Sequence, residues 1–127
     1  MSKTSKIIMS IHPEYVNKIF SGEKKFEYRK IQPKGWIDTI VIYSTYPVSK
    51  IVGEVEFIGY YIGPPETIWR ETKEFSGIEA ERYFSYYRNA KNAIAFKLGK
   101  VTIYDKPKTL DELGISYTPQ SFVYLKE

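Results

Sequence analysis

Three residues near the start of the chain could do chemistry together: Lys24, Glu27 and Arg29, in the stretch GEKKFEYRK at 22–30. Phe26 and Tyr28 alternate with the charges, so the stretch reads as a strand with one apolar and one ionic face. On that reading Lys25, Glu27 and Arg29 share a face, and Lys24 at the corner before the strand reaches the same region. A guanidinium suits a planar fork with a carboxylate, a phosphate or a base edge. A carboxylate beside it accepts from an exocyclic amine or acts as a base on a bound water. Such a set fits a ligand that is both anionic and rich in hydrogen-bonding groups, a nucleotide above all. The plainer alternative is a surface ion-pair ladder, worth about 0–1 kcal/mol per pair.

Other residues are candidates for the same site. His12 precedes Pro13 at a helix start, where it either caps the helix or lines a cleft. Ser44 and Thr45 end an apolar run, where a hydroxyl serves a turn or a ligand. Gln120, Ser121 and Tyr124 lie near the C-terminal end. Tyr83, Phe84, Tyr86 and Tyr87 invite base stacking, but helical spacing assigns part of that set to a core.

The elements that must position these residues follow from periodicity. KIIMSI at 6–11 is a short buried strand. Tyr15, Val16, Ile19 and Phe20 recur four apart behind Pro13, which makes an apolar helix face. Ser10 or His12 can cap this helix, and Gly22 suits the left-handed position that ends it. The charged strand follows at 25–30, then a PKGW turn and the β-branched run 37–45, a strand buried on both faces. Residues 51–63 form another strand. Pro64 and Pro65 open a helical stretch to about Glu74, and 78–88 make a second helix. Residues 92–105 are two strands about Gly99 or one long bent strand. Thr109 and Glu112 fit a capping box, and 121–126 is a last strand. The order predicts one α+β domain over 1–127, a small β-barrel with flanking helices.

Composition narrows the partners. The chain has 127 residues, 17% of them aromatic, which fits a folded core. It has no cysteine and one histidine, so thiolate and His-rich metal sites are not expected. Net charge is +4, and the excess is concentrated: residues 1–50 hold nine Lys/Arg against four Asp/Glu. A local basic excess favours a polyanion or a phosphate-bearing ligand. No leader and no long apolar run is visible, so a soluble, cytoplasmic protein away from membranes is expected.

Gly22, Lys24, Glu27 and Arg29, behind a strand and helix, resemble the motif of the ASCH domains, members of the PUA-like β-barrel superfamily. The segments 43–56 and 110–125 are similar to that family as well, in the expected order. The resemblance implies a barrel with a cleft beside the first helix and a connection to RNA or modified bases. It also implies that Ser44, Thr45, Gln120, Ser121 and Tyr124 help line the pocket. Some ASCH proteins are amidohydrolases on N4-acetylcytidine or ribonucleases. In the amidohydrolase type the lysine is kept, and a threonine three residues later is the nucleophile. This chain has Glu27 there, so that mechanism does not carry over. The expectation is therefore a cofactor-free module binding RNA or a modified nucleotide through Lys24, Glu27 and Arg29. The alternatives are a metal-independent hydrolase using Lys24 and Glu27, and a regulatory module with a protein partner.

Overall fold

The computed structural model describes residues 5–125. Six strands form one mixed sheet in the order β2-β5-β4-β3-β1-β6. They are β1 (Lys6–Ile11), β2 (Phe26–Arg29), β3 (Thr39–Ser44), β4 (Lys50–Gly63), β5 (Ala93–Lys108) and β6 (Phe122–Tyr124). Only β1 and β3 run parallel; the remaining neighbours are antiparallel. Helix α1 (Pro13–Ser21) follows β1, while α2 (Pro65–Thr72) and α3 (Ala80–Tyr86) lie between β4 and β5. The sheet coils into a half-barrel, and with its helices it has the α+β, PUA-like architecture.

Side-chain alternation divides the apolar residues into three cores. Inside the half-barrel, α1 places Val16 and Ile19 on Ile7, Met9, Ile40, Ile42, Ile94 and Phe96. On the outer face, Phe26, Tyr28, Ala93 and Ala95 pack beneath Ile68, Tyr83 and Tyr87 of the α2–α3 insertion. A third core gathers Ile8, Val41, Tyr43 and Ile51 under the chain near Leu110 and Ile115. Strand β3 thus buries Ile40 and Ile42 on one side and Val41 and Tyr43 on the other, which is why its sequence is almost uninterrupted apolar.

The local signals account for most boundaries. Pro13 starts α1, and Gly22, with φ of +89°, ends it by donating its N–H to Ile19 O. The capping box forms: Thr109 N–H donates to Glu112 Oε2, and Glu112 N–H donates to Thr109 Oγ1. Residues 93–108 are one long strand whose pairing with β4 slips at bulges. Two expectations need correction. His12 occupies the cap position of α1, but neither its side chain nor that of Ser10 caps the helix; Ser10 Oγ donates to Pro119 O. The charged strand starts at Phe26, one residue later than alternation suggested.

Candidate functional site

The late start of β2 decides which lysine is inside. Lys25 lies before the strand, its N–H donates to Phe75 O, and its ammonium sits 4.5 Å from the Phe75 ring on the surface. It therefore does not share a face with Glu27 and Arg29. Those two pair across β5 with Phe96 and Ile94, so they point into the half-barrel, while Phe26 and Tyr28 point out beneath the insertion.

Lys24 is the buried lysine, at 3% exposure. Its Nζ donates to Ser76 O at 2.6 Å and lies 3.7 Å from Glu27 Oε1. The ammonium also rests on the rings of Tyr28 and Tyr15, at 4.9 and 5.3 Å. Burial drives its pKa below the ordinary lysine value; Glu27 opposes the shift, and Arg29 and Lys18 add to it. The turn at 76–77 shapes this place. Gly77 has φ of +64°, and a Cβ there would stand 2.5 Å from Lys24 Cβ. Its carbonyl accepts from Lys18 Nζ.

Arg29 has much of its fork committed. Nε and Nη2 donate to Glu27 Oε2 at 3.1 and 2.7 Å, Nη2 also donates to Ser10 O, and Nη1 donates to Ser121 Oγ at 3.4 Å. Because β2 is one edge of the sheet and Ser121 directly precedes β6 at the other, Arg29 clasps the two edges of the half-barrel. It orients Glu27 and closes the fold.

These groups line a cleft of about 830 Å³ between α1, α3 and the open side of the half-barrel. The structure brings Lys24, Glu27, Arg29, Thr45 and Gln120 together there, joined by His12, Tyr15, Arg82, Tyr83 and Tyr86. Thr45 Oγ1 is buried with no hydrogen-bond partner among the described residues. Ser121 reaches the site only through Arg29. Ser44 is buried outside the cleft. Tyr124 is also elsewhere: its hydroxyl holds the main chain of Lys34. Phe84 packs on Trp69 and Tyr83, and Tyr87 donates to Arg29 O from within the core, which leaves Tyr83 and Tyr86 as the cleft-lining members of that aromatic set. Sequence reasoning missed Tyr15 and Arg82 as cleft residues; no local signal marks them, because α1 and α3 meet only in the fold. Among the described residues no three His, Asp or Glu side chains converge as a metal site would need.

A PUA-like half-barrel with a cleft beside its first helix defines the class of this protein. Residues 9–103 match the ASCH domain model, and the chain belongs to that family. It is 27% identical over 125 residues to an ASCH domain-containing ribonuclease of Zymomonas mobilis, covering 94% of this chain and 84% of that protein. The crystal structure of ASCH from Zymomonas mobilis aligns with a TM-score of 0.88 at 27% identity, over 96% of this chain and 88% of the other. Two Ureaplasma parvum proteins are similar as well. One is named ATP synthase subunit alpha (31% identical over 121 residues, 94% of this chain), the other large ribosomal subunit protein uL22 (32% over 124 residues, 97% of this chain). The chain spans only 15% and 40% of the length of these two. Among the described residues no helix is long and apolar enough to cross a membrane.

Proposed function

We propose that this chain acts on RNA, seating one nucleotide unit in the cleft, and that Lys24 and Glu27 cleave the adjoining phosphodiester without a metal. One observation carries the reading: a nearly fully buried lysine with a lowered pKa, held beside a carboxylate on the wall of a cleft. Cleft lysines perturbed by burial beside a charged partner concentrate at catalytic sites. The likeness to a ribonuclease over most of both chains supports the same substrate.

The chemistry follows from the pair. Glu27 takes the proton of the ribose 2′-hydroxyl as that oxygen attacks phosphorus. The bond from phosphorus to the 5′-oxygen breaks, and Lys24 protonates the departing oxygen. The products are a 2′,3′-cyclic phosphate and a 5′-hydroxyl. Glu27 is then neutral and Lys24 has lost its proton; with the two groups 3.7 Å apart, a proton relayed from Glu27 to Lys24 through one water restores the pair. A lysine with lowered pKa is a better acid for this step than an ordinary one. Arg29 keeps Glu27 in place throughout.

A second reading is binding without cleavage. It is favoured by the company Glu27 keeps, since Arg29 already engages one carboxylate oxygen twice. One experiment separates the two. Purified protein in EDTA is given end-labelled single-stranded RNA and the matching DNA, with binding and product formation measured in parallel. Cleavage of RNA alone, with cyclic-phosphate ends, lost in Lys24→Met and Glu27→Gln, is the expected result. Tight binding with no product leaves the binding module; cleavage undiminished in Lys24→Met removes Lys24 from the chemistry.

A further inference from the structure

The cations that line the cleft differ sharply in availability. Lys24 is 2% exposed at its side chain and tied to Ser76 and Glu27. Arg29 is 12% exposed and committed to Glu27, Ser10 and Ser121. Arg82 on α3 is 59% exposed; its guanidinium carbon lies 5.9 Å from the centre of the Tyr15 ring, and among the described residues only its Nη1 is hydrogen-bonded, donating to Glu14 Oε1 at 2.8 Å and to the Tyr15 hydroxyl at 2.7 Å. Its Nε and Nη2 donate to no partner among the described residues. Glu14 and Tyr15 belong to the first turn of α1, and both line the same cleft as Arg82. An exposed ion pair of this kind is held weakly, so the carboxylate yields readily to a better anion. A phosphate likewise presents two oxygens that a guanidinium fork binds together.

We propose that Arg82 is the phosphate-binding residue of the cleft, and that Glu14 is an internal carboxylate occupying it until a nucleotide phosphate takes its place. This rests on the reading that the cleft receives RNA and adds a phosphate position to it. It makes the two partners of one ion pair opposite in effect. Removing Arg82 removes the phosphate contact. Neutralising Glu14 removes a competitor and leaves Arg82 free. The phosphate is either that of a strand or that of a free nucleotide, and the chemistry of the contact is common to both.

The test measures affinity for a 2′-O-methyl oligouridylate, which cannot be cleaved, and for uridine 5′-monophosphate. The proteins are wild type, Arg82→Gln, Glu14→Gln, the double variant, and Glu66→Gln, which makes the same charge change on the exposed first turn of α2. Thermal unfolding confirms that each is folded. Arg82→Gln is expected to weaken binding roughly tenfold, the usual scale for a charge-assisted hydrogen bond. Glu14→Gln is expected to tighten it several-fold, beyond Glu66→Gln, and this gain is absent in the double variant. The salt slope for the oligonucleotide falls by about one in Arg82→Gln. Tightening by the oligonucleotide alone assigns the phosphate to a strand; tightening by both probes assigns it to any nucleotide. Equal gains from Glu14→Gln and Glu66→Gln, a gain that survives in the double variant, or no loss in Arg82→Gln each overturn the inference. If RNA cleavage still depends on Lys24 in that event, the reading of the cleft stands without Arg82. Failure of both probes to bind wild type and Glu14→Gln overturns both.

Discussion

Lys24 Nζ lies 3.7 Å from Glu27 Oε1, with their side chains only 2% and 9% exposed. Each charge is tolerable there because of the other and of the groups around them: Ser76 O and two tyrosine rings for the lysine, Arg29 for the carboxylate. Breaking a buried pair leaves an uncompensated charge, while replacing both members by apolar groups can be nearly neutral. Glu27→Gln is therefore expected to destabilise the fold by about 3–5 kcal/mol. The Lys24→Met, Glu27→Gln double variant should recover part of that loss. Urea titrations of wild type, both single variants and the double variant check this, and an additive double variant would show the two residues to be uncoupled.

The pH dependence of stability has a definite sign. Burial lowers the Lys24 pKa from its ordinary 10.5, so below the lowered value both folded and unfolded chains hold the proton and the full burial penalty is present. As pH rises through that value the folded chain releases its proton while the unfolded chain keeps it, and stability increases up to about 10.5. Tyr28 acts in the opposite sense: burial holds its hydroxyl up to about 12, from 10.0, so stability is lost as pH climbs past 10 towards 12. Alkaline unfolding should thus show a rise and then a fall. Lys24→Met should lose the rise and keep the fall, as read by denaturant midpoints measured at intervals of pH.

Arg29 is expected to matter more for the fold than for holding a ligand. Arg29→Ala removes the clasp between the sheet edges and strips Glu27 of its partner, at about 2–5 kcal/mol. Arg29→Lys keeps the charge and loses the fork, so it rescues little. Arg70→Ala, exposed on α2, should fall within about 0.5 kcal/mol of wild type. Thermal shifts of equal size for Arg29→Ala and Arg70→Ala would contradict the clasp.

Thr45 should give effects of opposite sign on stability and binding. Its buried hydroxyl has no partner among the described residues, and such a group costs about 1–3 kcal/mol. Thr45→Val keeps the shape and removes the unpaired oxygen. It should raise the unfolding midpoint while weakening RNA binding, which separates a ligand contact from a packing residue.

Gly77→Ala tests how the lysine is held. A methyl group would stand 2.5 Å from Lys24 Cβ on a backbone with φ of +64°. The variant should lose about 1–3 kcal/mol. It should also lose RNA cleavage out of proportion to that, because Lys24 must move. Retained cleavage at full rate would show that the turn at 76–77 is not what positions Lys24.

Much of the architecture was legible in local chemistry. The apolar run at 39–44 announced its own two-sided burial by having no polar face; Pro13 and Gly22 bound α1, and Thr109 and Glu112 form their capping box, because each of these depends on neighbours a few residues away. The motif that marks the family was legible for the same reason: Gly22, Lys24, Glu27 and Arg29 are one turn and one strand. The residues placed both adjacent lysines at the site and could not say that only Lys24 goes inside. That is decided where β2 begins and where the turn at 76–77 docks, more than fifty residues further on, so that Lys24 meets Ser76 O while Lys25 lies over Phe75 in solvent. Likewise the fork of Arg29 read as free for a ligand, and only closure of the sheet brings Ser10 and Ser121 to it. Sequence by itself determined the elements and the charged residues between them. Tertiary structure decided which charges are buried and which remain free to bind, because burial and hydrogen-bond partners are properties of contacts between distant parts of the chain.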